Sequence, residues 1–492
     1  MFEHVSYESS VRGCWMGKNI GGTLGAPFES NTELHDIDFY AQKDLFGSPE
    51  PNDDLDLQLL WLIIAEQHGL YRITPRLLGE YWISNITGPW NEYAVCRWNS
   101  MNGFYPPLSG AVDNDEWHWS NGAWIRSEIW ACLFPGDPDE ALKFAWLDAS
   151  ADHEGEGIYA EMFTVALESA AFVEKDLRKL VAIGLSKIPE KSRLRASIDL
   201  VCKCYDAGED WKVARNKVVE QNKDLGYFQA PSNVAFAILG LLYGKGDFGR
   251  TVCLAVDCGD DTDCTAATAG AVMGILYGIE NIPEKWIAPI GKTIVTGAIS
   301  RFGLKVPIPR TIDELTRRVM RLRRQAELDN PHKIGEDLLD DTAAREIWAR
   351  SSHELGFDIS YAKVGVEYVE GEHIAPGEPL KVRLWLRDGI PAMHEVRFVW
   401  RLPENWRAEP NEVRISGLER TRGYVESVLL PPETLDAAMY YLELEVYSDT
   451  RNYPTALRIP FRRAGAVKYP KHRGDRDFEE RDRLRRSIDE QK

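Results

Sequence analysis

Apolar residues recur at helical spacing from the N-terminus to about residue 330. The stretches DLQLLWLIIAEQHGL, PDEALKFAWLDASA, GIYAEMFTVALESAAFVEK and SNVAFAILGLLYG are periodic at 3.6 residues or apolar throughout, which predicts amphipathic and fully buried helices. Gly, Pro, Asn and Asp punctuate them, with no alternation of strands and helices and no repeat. Thr311 to Glu327 is basic and amphipathic, and GEDLLDDTAAREIWARSSHEL follows Pro331, so both read as connectors packed on the first domain. After about residue 355 the period changes to two. KVGVEYVE, LKVRLWLRD, EVRFVWRL, GYVESVLL, MYYLELEVYS and TALRIPF alternate and are rich in β-branched and aromatic residues, which predicts strands of a small antiparallel β-sandwich. The expected division is an all-α domain over 1–330, a helical connector over 331–355, an immunoglobulin-like β-sandwich over 356–465 and a charged tail over 466–492. The fold class is mainly α.

Composition narrows the function classes. The chain has 492 residues and a formal net charge of −19, which argues against a nucleic-acid or anionic-membrane surface. No run of eighteen apolar residues exists, and the start MFEHVSYESSVRGCW has no apolar signal-peptide core. Eight cysteines all lie before residue 265 without paired zinc-ligand spacing, so reduced thiols and a cytoplasmic location are expected.

Two acidic motifs carry candidate chemistry. In PNDDLDLQLLWL, Asn52, Asp53 and Asp54 precede an apolar helix, where an N-cap and a favourable helix dipole account for them without a ligand. In DCGDDTDC, four aspartates fall between Asp257 and Asp263. Capping by Asp261 or Thr262 explains one or two of them; a hard divalent cation explains the rest. Asp261 and Asp263, two apart, point the same way in an extended stretch and can share an ion. Two helix starts of this kind, facing each other, would build a metal pair that stabilises developing negative charge.

Four ordered segments, GCWMGKNIGGTLGAPFE, NDDLDLQLLWL, NGAWIR and DCGDDTDCTAATAGAVMGILYG, together resemble the ADP-ribosylglycohydrolase family over most of residues 10 to 300. The resemblance implies an orthogonal all-α bundle with a binuclear Mg²⁺ site. Matched residue by residue, it implies Asn52, Asp53, Asp54, Asp261 and Asp263 as metal ligands and Glu29 and Asp54 as catalytic carboxylates. It implies Asn121, Gly122, His153 and Gly259 as substrate-binding residues. Three departures stand out: Asn52 replaces the family's Thr or Ser, Cys264 replaces its final Thr, and Gly22 and Thr23 stand where the first helix has an acid. Two ions are therefore expected, the second more weakly held, with Mn²⁺ as the alternative to Mg²⁺.

Gly13, Gly17, Gly21 and Gly25 recur every fourth residue and predict a smooth helix stripe for close packing. Half of the sixteen tryptophans fall between Trp82 and Trp146, in a stretch that reads as a long loop pinned by aromatics or as a substrate wall, with Asp113 and Asp115 as further carboxylates. The expected activity is metal-dependent hydrolysis of a glycosidic bond in a small or protein-linked ADP-ribosyl substrate. The alternatives are a different glycoside or nucleoside, or a non-catalytic structural relative. The sandwich is expected to serve packing or a homodimer rather than chemistry.

Overall fold

The computed structural model describes residues 5–329, 334–389, 395–416 and 423–466. Among them are seventeen α-helices, the last ending at Trp348, and ten strands, the first starting at Glu354. The charged tail expected from 466 onward lies, but for its first residue, outside the described residues. Two compact units emerge: Met1–Tyr93 with Asp115–Arg350, and Ala94–Asn114 with Ser351–Lys492.

The first unit is helical. Its opening helix, Tyr7–Gly25, is capped by Ser6, whose hydroxyl accepts the Ser9 N–H. That helix runs antiparallel to Thr262–Tyr277, and the glycine stripe is the contact. A Cβ at Gly13, Gly17, Gly21 or Gly25 would collide with the backbone of Gly274, Gly270, Ala266 or Thr262 respectively. Each glycine costs the helix up to about 1 kcal/mol of propensity, which this backbone-to-backbone packing offsets. The apolar helices Ala230–Gly244 and Thr262–Tyr277 are buried almost throughout, as expected for segments without a polar face. The basic helix Ile312–Asp329 buries Ile312, Leu315, Val319 and Leu322, and its Arg318 and Arg321 both pair with Glu66.

The second unit holds β1 (Glu354–Ile359), β2 (Ala362–Tyr368), β3 (His373–Ile374), β4 (Leu380–Arg387), β5 (Glu395–Arg401), β6 (Arg407–Glu409), β7 (Glu412–Ser416), β8 (Tyr424–Leu430), β9 (Met439–Ser448) and β10 (Thr455–Arg463). They form two five-stranded sheets, ordered β1-β2-β4-β8-β6 and β3-β10-β9-β5-β7. Every pairing is antiparallel except β3 with β10. Alternating residues of both sheets, among them Val364, Val382, Phe398, Leu442 and Ile459, meet in one apolar core. Phe104, Leu108 and Val112, from the Ala94–Asn114 excursion, are fully buried in that same core. The aromatic middle is therefore short helices rather than one long loop: Asn91–Met101, Leu108–Ala111 and Glu128–Leu133. Period-two reading identifies the six inner or long strands. The four it misses, β1, β3, β6 and β7, are all sheet edges, where one side has no neighbour and the apolar signal is weak.

Candidate metal centre

Two helix N-termini supply the acids. Asn52 caps the helix Asp53–His68, its side-chain oxygen accepting the Asp54 N–H at 2.7 Å. Asp261 precedes Thr262–Tyr277 but makes no side-chain capping bond, which leaves its carboxylate free for other work. Gly259 (φ 76°) and Asp260 (φ 70°) take left-handed conformations and turn the chain between Phe248–Asp257 and that helix. The turn docks on the segment after the first helix: Ser30 N–H donates to Asp260 O at 3.0 Å and Asp260 N–H to Asn31 O at 2.8 Å. This docking delivers Glu29. As a result Glu29, Asp261 and Asp263 offer carboxylate oxygens within 4.8 Å of one another, as do Asp54, Asp263 and the Cys264 thiol.

The four aspartates of DCGDDTDC divide by role. Asp257 accepts the Ile37 N–H at 2.9 Å, and Asp260 accepts the Phe228 N–H at 2.9 Å and the Asn233 amide at 3.2 Å, so both fix the turn. Asp261 accepts the Asn121 amide at 2.6 Å. Asp263 Oδ2 accepts the Asn52 amide at 3.2 Å, whereas Asp263 Oδ1 is buried and receives no donor. Burial, then the neighbouring Asp263 and Glu29 charges, push the Asp261 carboxyl far above its usual range. Burial and Glu29 push Asp263 up to about 8. Carboxylates this crowded and dry do not ionise together without a cation.

The other half of the centre faces a thiol and an ammonium, although Asp54 Oδ2, like Asp263 Oδ1, is buried and accepts no hydrogen bond. Asp54 Oδ1 accepts the Cys264 thiol at 3.1 Å, and burial, with Asp261 and Asp263, raises that thiol's pKa and keeps it protonated. Lys18 Nζ lies 3.4 Å from Asp54 Oδ2 and 2.7 Å from Glu128. Burial pulls the Lys18 pKa down, but Glu128 and Asp54 outweigh it and hold the ammonium above the ordinary lysine range. Asp53, half-buried, accepts the Tyr93 hydroxyl at 2.9 Å.

The residues expected to touch substrate lie on a firm base. Asn121 is held by the Trp124 indole N–H at 2.9 Å, and the Gly122 N–H donates to Glu92 at 3.1 Å. Burial pushes Glu92 up to about 7. His153 is completely buried: its Nδ1–H donates to Asp152 at 2.7 Å and its Nε2 faces Ser120 Oγ at 3.2 Å. Gly259 fills a tight corner, where a Cβ would collide with Glu33 O. Beneath them Arg126 clamps Asp148 and, with two nitrogens, Asp152, and also donates to Gly122 O. Sequence reasoning does not single out Lys18, Glu92 or Tyr93, and it gives Arg126 only as the last residue of the NGAWIR segment, without a role. A lysine within the glycine-striped part of the first helix was the one available signal for Lys18. Asp113, by contrast, belongs to the second unit, where it pairs with His373 and Arg462.

Hard oxygen donors, an undonated buried carboxylate oxygen and raised acid pKa values all suit a hard divalent cation. Among the described residues no helix is long and apolar enough to cross a membrane, and all eight cysteines are buried and outside disulfides.

A family model described as ADP-ribosylglycohydrolase matches residues 3–328. The chain is 29% identical over 147 residues to the ADP-ribosylhydrolase ARH3 of Bos taurus, covering 28% of this chain and 37% of that protein. To ARH3 of Danio rerio it is 30% identical over 197 residues, covering 34% and 51% respectively. To the ADP-ribosylarginine hydrolase Tri1 of Serratia proteamaculans it is 39% identical over 51 residues, covering 10% and 14%. The matched stretches thus span about half or less of these relatives. With the family model spanning most of its helical part, the chain belongs to the ADP-ribosylglycohydrolase family.

Proposed function

We propose that this chain is a divalent-cation-dependent hydrolase of ADP-ribosyl linkages, working at the acidic centre of the first unit. The observation that carries this reading is Asp263 Oδ1, a buried carboxylate oxygen without a donor, where the two acidic groups meet. Mg²⁺ is the ion that an all-oxygen donor set suits, with Mn²⁺ as its substitute. Glu29, Asp261 and Asp263 are the candidate ligands, and Asp53 and Asp54 line the same acidic centre. When bound, such an ion polarises a substrate oxygen and lowers the pKa of a water. The chain's own groups do the rest. Glu29, the exposed member of its group, accepts the proton of the attacking water. Asn121 fixes the orientation of Asp261, and the Ser120–Gly122 turn, braced by His153 and Arg126, forms the wall against which the ribose sits. Cleavage of the bond at the ribose anomeric carbon passes through an oxocarbenium-like transition state, which this concentration of negative charge favours.

The residues of both acidic groups belong to the first unit, so the second unit, read as a β-sandwich, is assigned packing rather than chemistry. The name of Tri1 points to arginine-linked ADP-ribose as the first substrate to try. The test is release of ADP-ribose from arginine- or serine-linked ADP-ribosyl protein, with Mg²⁺ and with EDTA. Turnover that EDTA abolishes and Mg²⁺ restores is the expected outcome. Turnover only on a nucleoside panel would instead identify a different glycosidic substrate, and inertness on both would mean a non-catalytic relative.

A further inference from the structure

We infer that Lys18 is the built-in counter-cation of Asp54, and that the centre therefore holds one divalent ion, on Glu29, Asp261 and Asp263, rather than two. This rests on the metal-dependent reading above and concerns its stoichiometry.

Asp54 is ringed by donors and a cation. Its Oδ1 already accepts the Cys264 thiol, and its Oδ2 faces the Lys18 ammonium at 3.4 Å. Lys18 and Asp54 are both almost completely buried, so no water screens this charge from an incoming ion. Asn52 adds to the effect. Its Oδ1 must be the atom that accepts the Asp54 N–H, which fixes the amide so that its NH₂ points at Asp263 Oδ2. Opposite lies Gly22, which offers no ligand; a Cβ there would run into the Asn52 amide. The Asp54 side of the centre is thus lined by an ammonium, which repels a metal cation, by an amide NH₂ whose positive end faces the site, and by a protonated thiol, a poor ligand for a hard ion. On the other side stand the Glu29, Asp261 and Asp263 carboxylates; both Asp263 Oδ1 and Asp54 Oδ2 are buried without a hydrogen bond, but only Asp54 Oδ2 has an ammonium beside it. Lys18 is itself anchored by Glu128 at 2.7 Å, which the Gln58 amide also holds at 2.7 Å, and this pairing keeps the ammonium beside Asp54.

The experiment counts ions on the full-length protein, by Mn²⁺ electron paramagnetic resonance titration and by Mg²⁺ calorimetry. One ion per chain is expected. In Asp54→Asn the count should stay at one, with affinity changed by less than about tenfold. In the double variant Lys18→Met, Glu128→Gln, which removes the ammonium and its anchor together, a second ion should bind. Two ions on the wild-type protein would overturn the inference while leaving the hydrolase reading intact. Loss of the ion in Asp54→Asn would also overturn it, and that arm stands even where the double variant does not fold. A folded double variant that still holds one ion would overturn the role of Lys18. A wild-type protein that binds no ion would overturn both this inference and the metal-dependent reading. One ion without ADP-ribose release would leave the stoichiometry standing and remove the proposed substrate.

Discussion

Asp263 lies in both acidic groups, and its side chain shows how one residue ties two helix starts into one centre. Asp263→Ala should reduce Mn²⁺ affinity by more than the roughly 10–100-fold typical for loss of a supporting group, with the thermal unfolding temperature held or raised. Calorimetry and a melting curve check both parts; an unchanged Mn²⁺ affinity would remove Asp263 from the centre. The acids were readable from sequence because adjacent carboxylates at a helix start are local patterns. Their buried partners were not. Lys18, Arg126 and Glu92 resemble surface residues until the fold places Glu128, Asp148 and Gly122 against them. Asn52 shows the intermediate case: it was expected as a metal ligand, and its oxygen is engaged by the Asp54 N–H as an ordinary N-cap.

Helices and strands bring their own tests. The glycine stripe was legible from spacing alone, but its partner, the helix Thr262–Tyr277, was not, since nothing local says which helix comes close. Gly17→Ala should raise helix propensity by up to about 1 kcal/mol yet lower net stability, because its Cβ meets the Gly270 backbone and overpacking typically costs about 1–3 kcal/mol. Urea unfolding would show the sign, and a gain in stability would mean that the two helices are not held this close. The two-residue strand β3 depends on charge instead. His373 pairs with Asp113 at 3.3 Å and faces Glu372, while Arg462 opposes it; the hydrogen bond to Asp113 leads in raising the His373 pKa. A raised histidine stabilises fully below its unfolded value of about 6.5 and stops doing so as pH climbs through the folded one. Desolvation pushes Asp113 up, but the His373 hydrogen bond and Arg462 outweigh it and hold the carboxyl below its usual range, so its share is lost only in acid. His373→Gln should therefore cost more stability at pH 6 than at pH 9; an equal cost at both would mean that the charge on His373 contributes nothing.

At the scale of the whole molecule, the helical and strand halves were legible from the change of period near residue 355, whereas the interleaving of the two units was not. The segment from Ala94 to Asn114 reads as an aromatic insertion of the first half because its core partners are strands more than two hundred residues away in sequence. A chain truncated after Arg350 would leave Phe104, Leu108 and Val112 without the core that covers them. Such a truncation should aggregate or show lower solubility than the full chain, measured by size-exclusion chromatography; a monodisperse truncated chain would show that the excursion needs no strands. The same excursion sets the order of assembly during translation. Its apolar side chains leave the ribosome early, yet β1 begins at Glu354, so at roughly 5–20 residues per second they wait on the order of ten seconds or more for their partners. For that interval the nascent protein carries an open hydrophobic segment about a third of the way along its helical part, the kind of transiently exposed surface that makes a folding chain prone to aggregate.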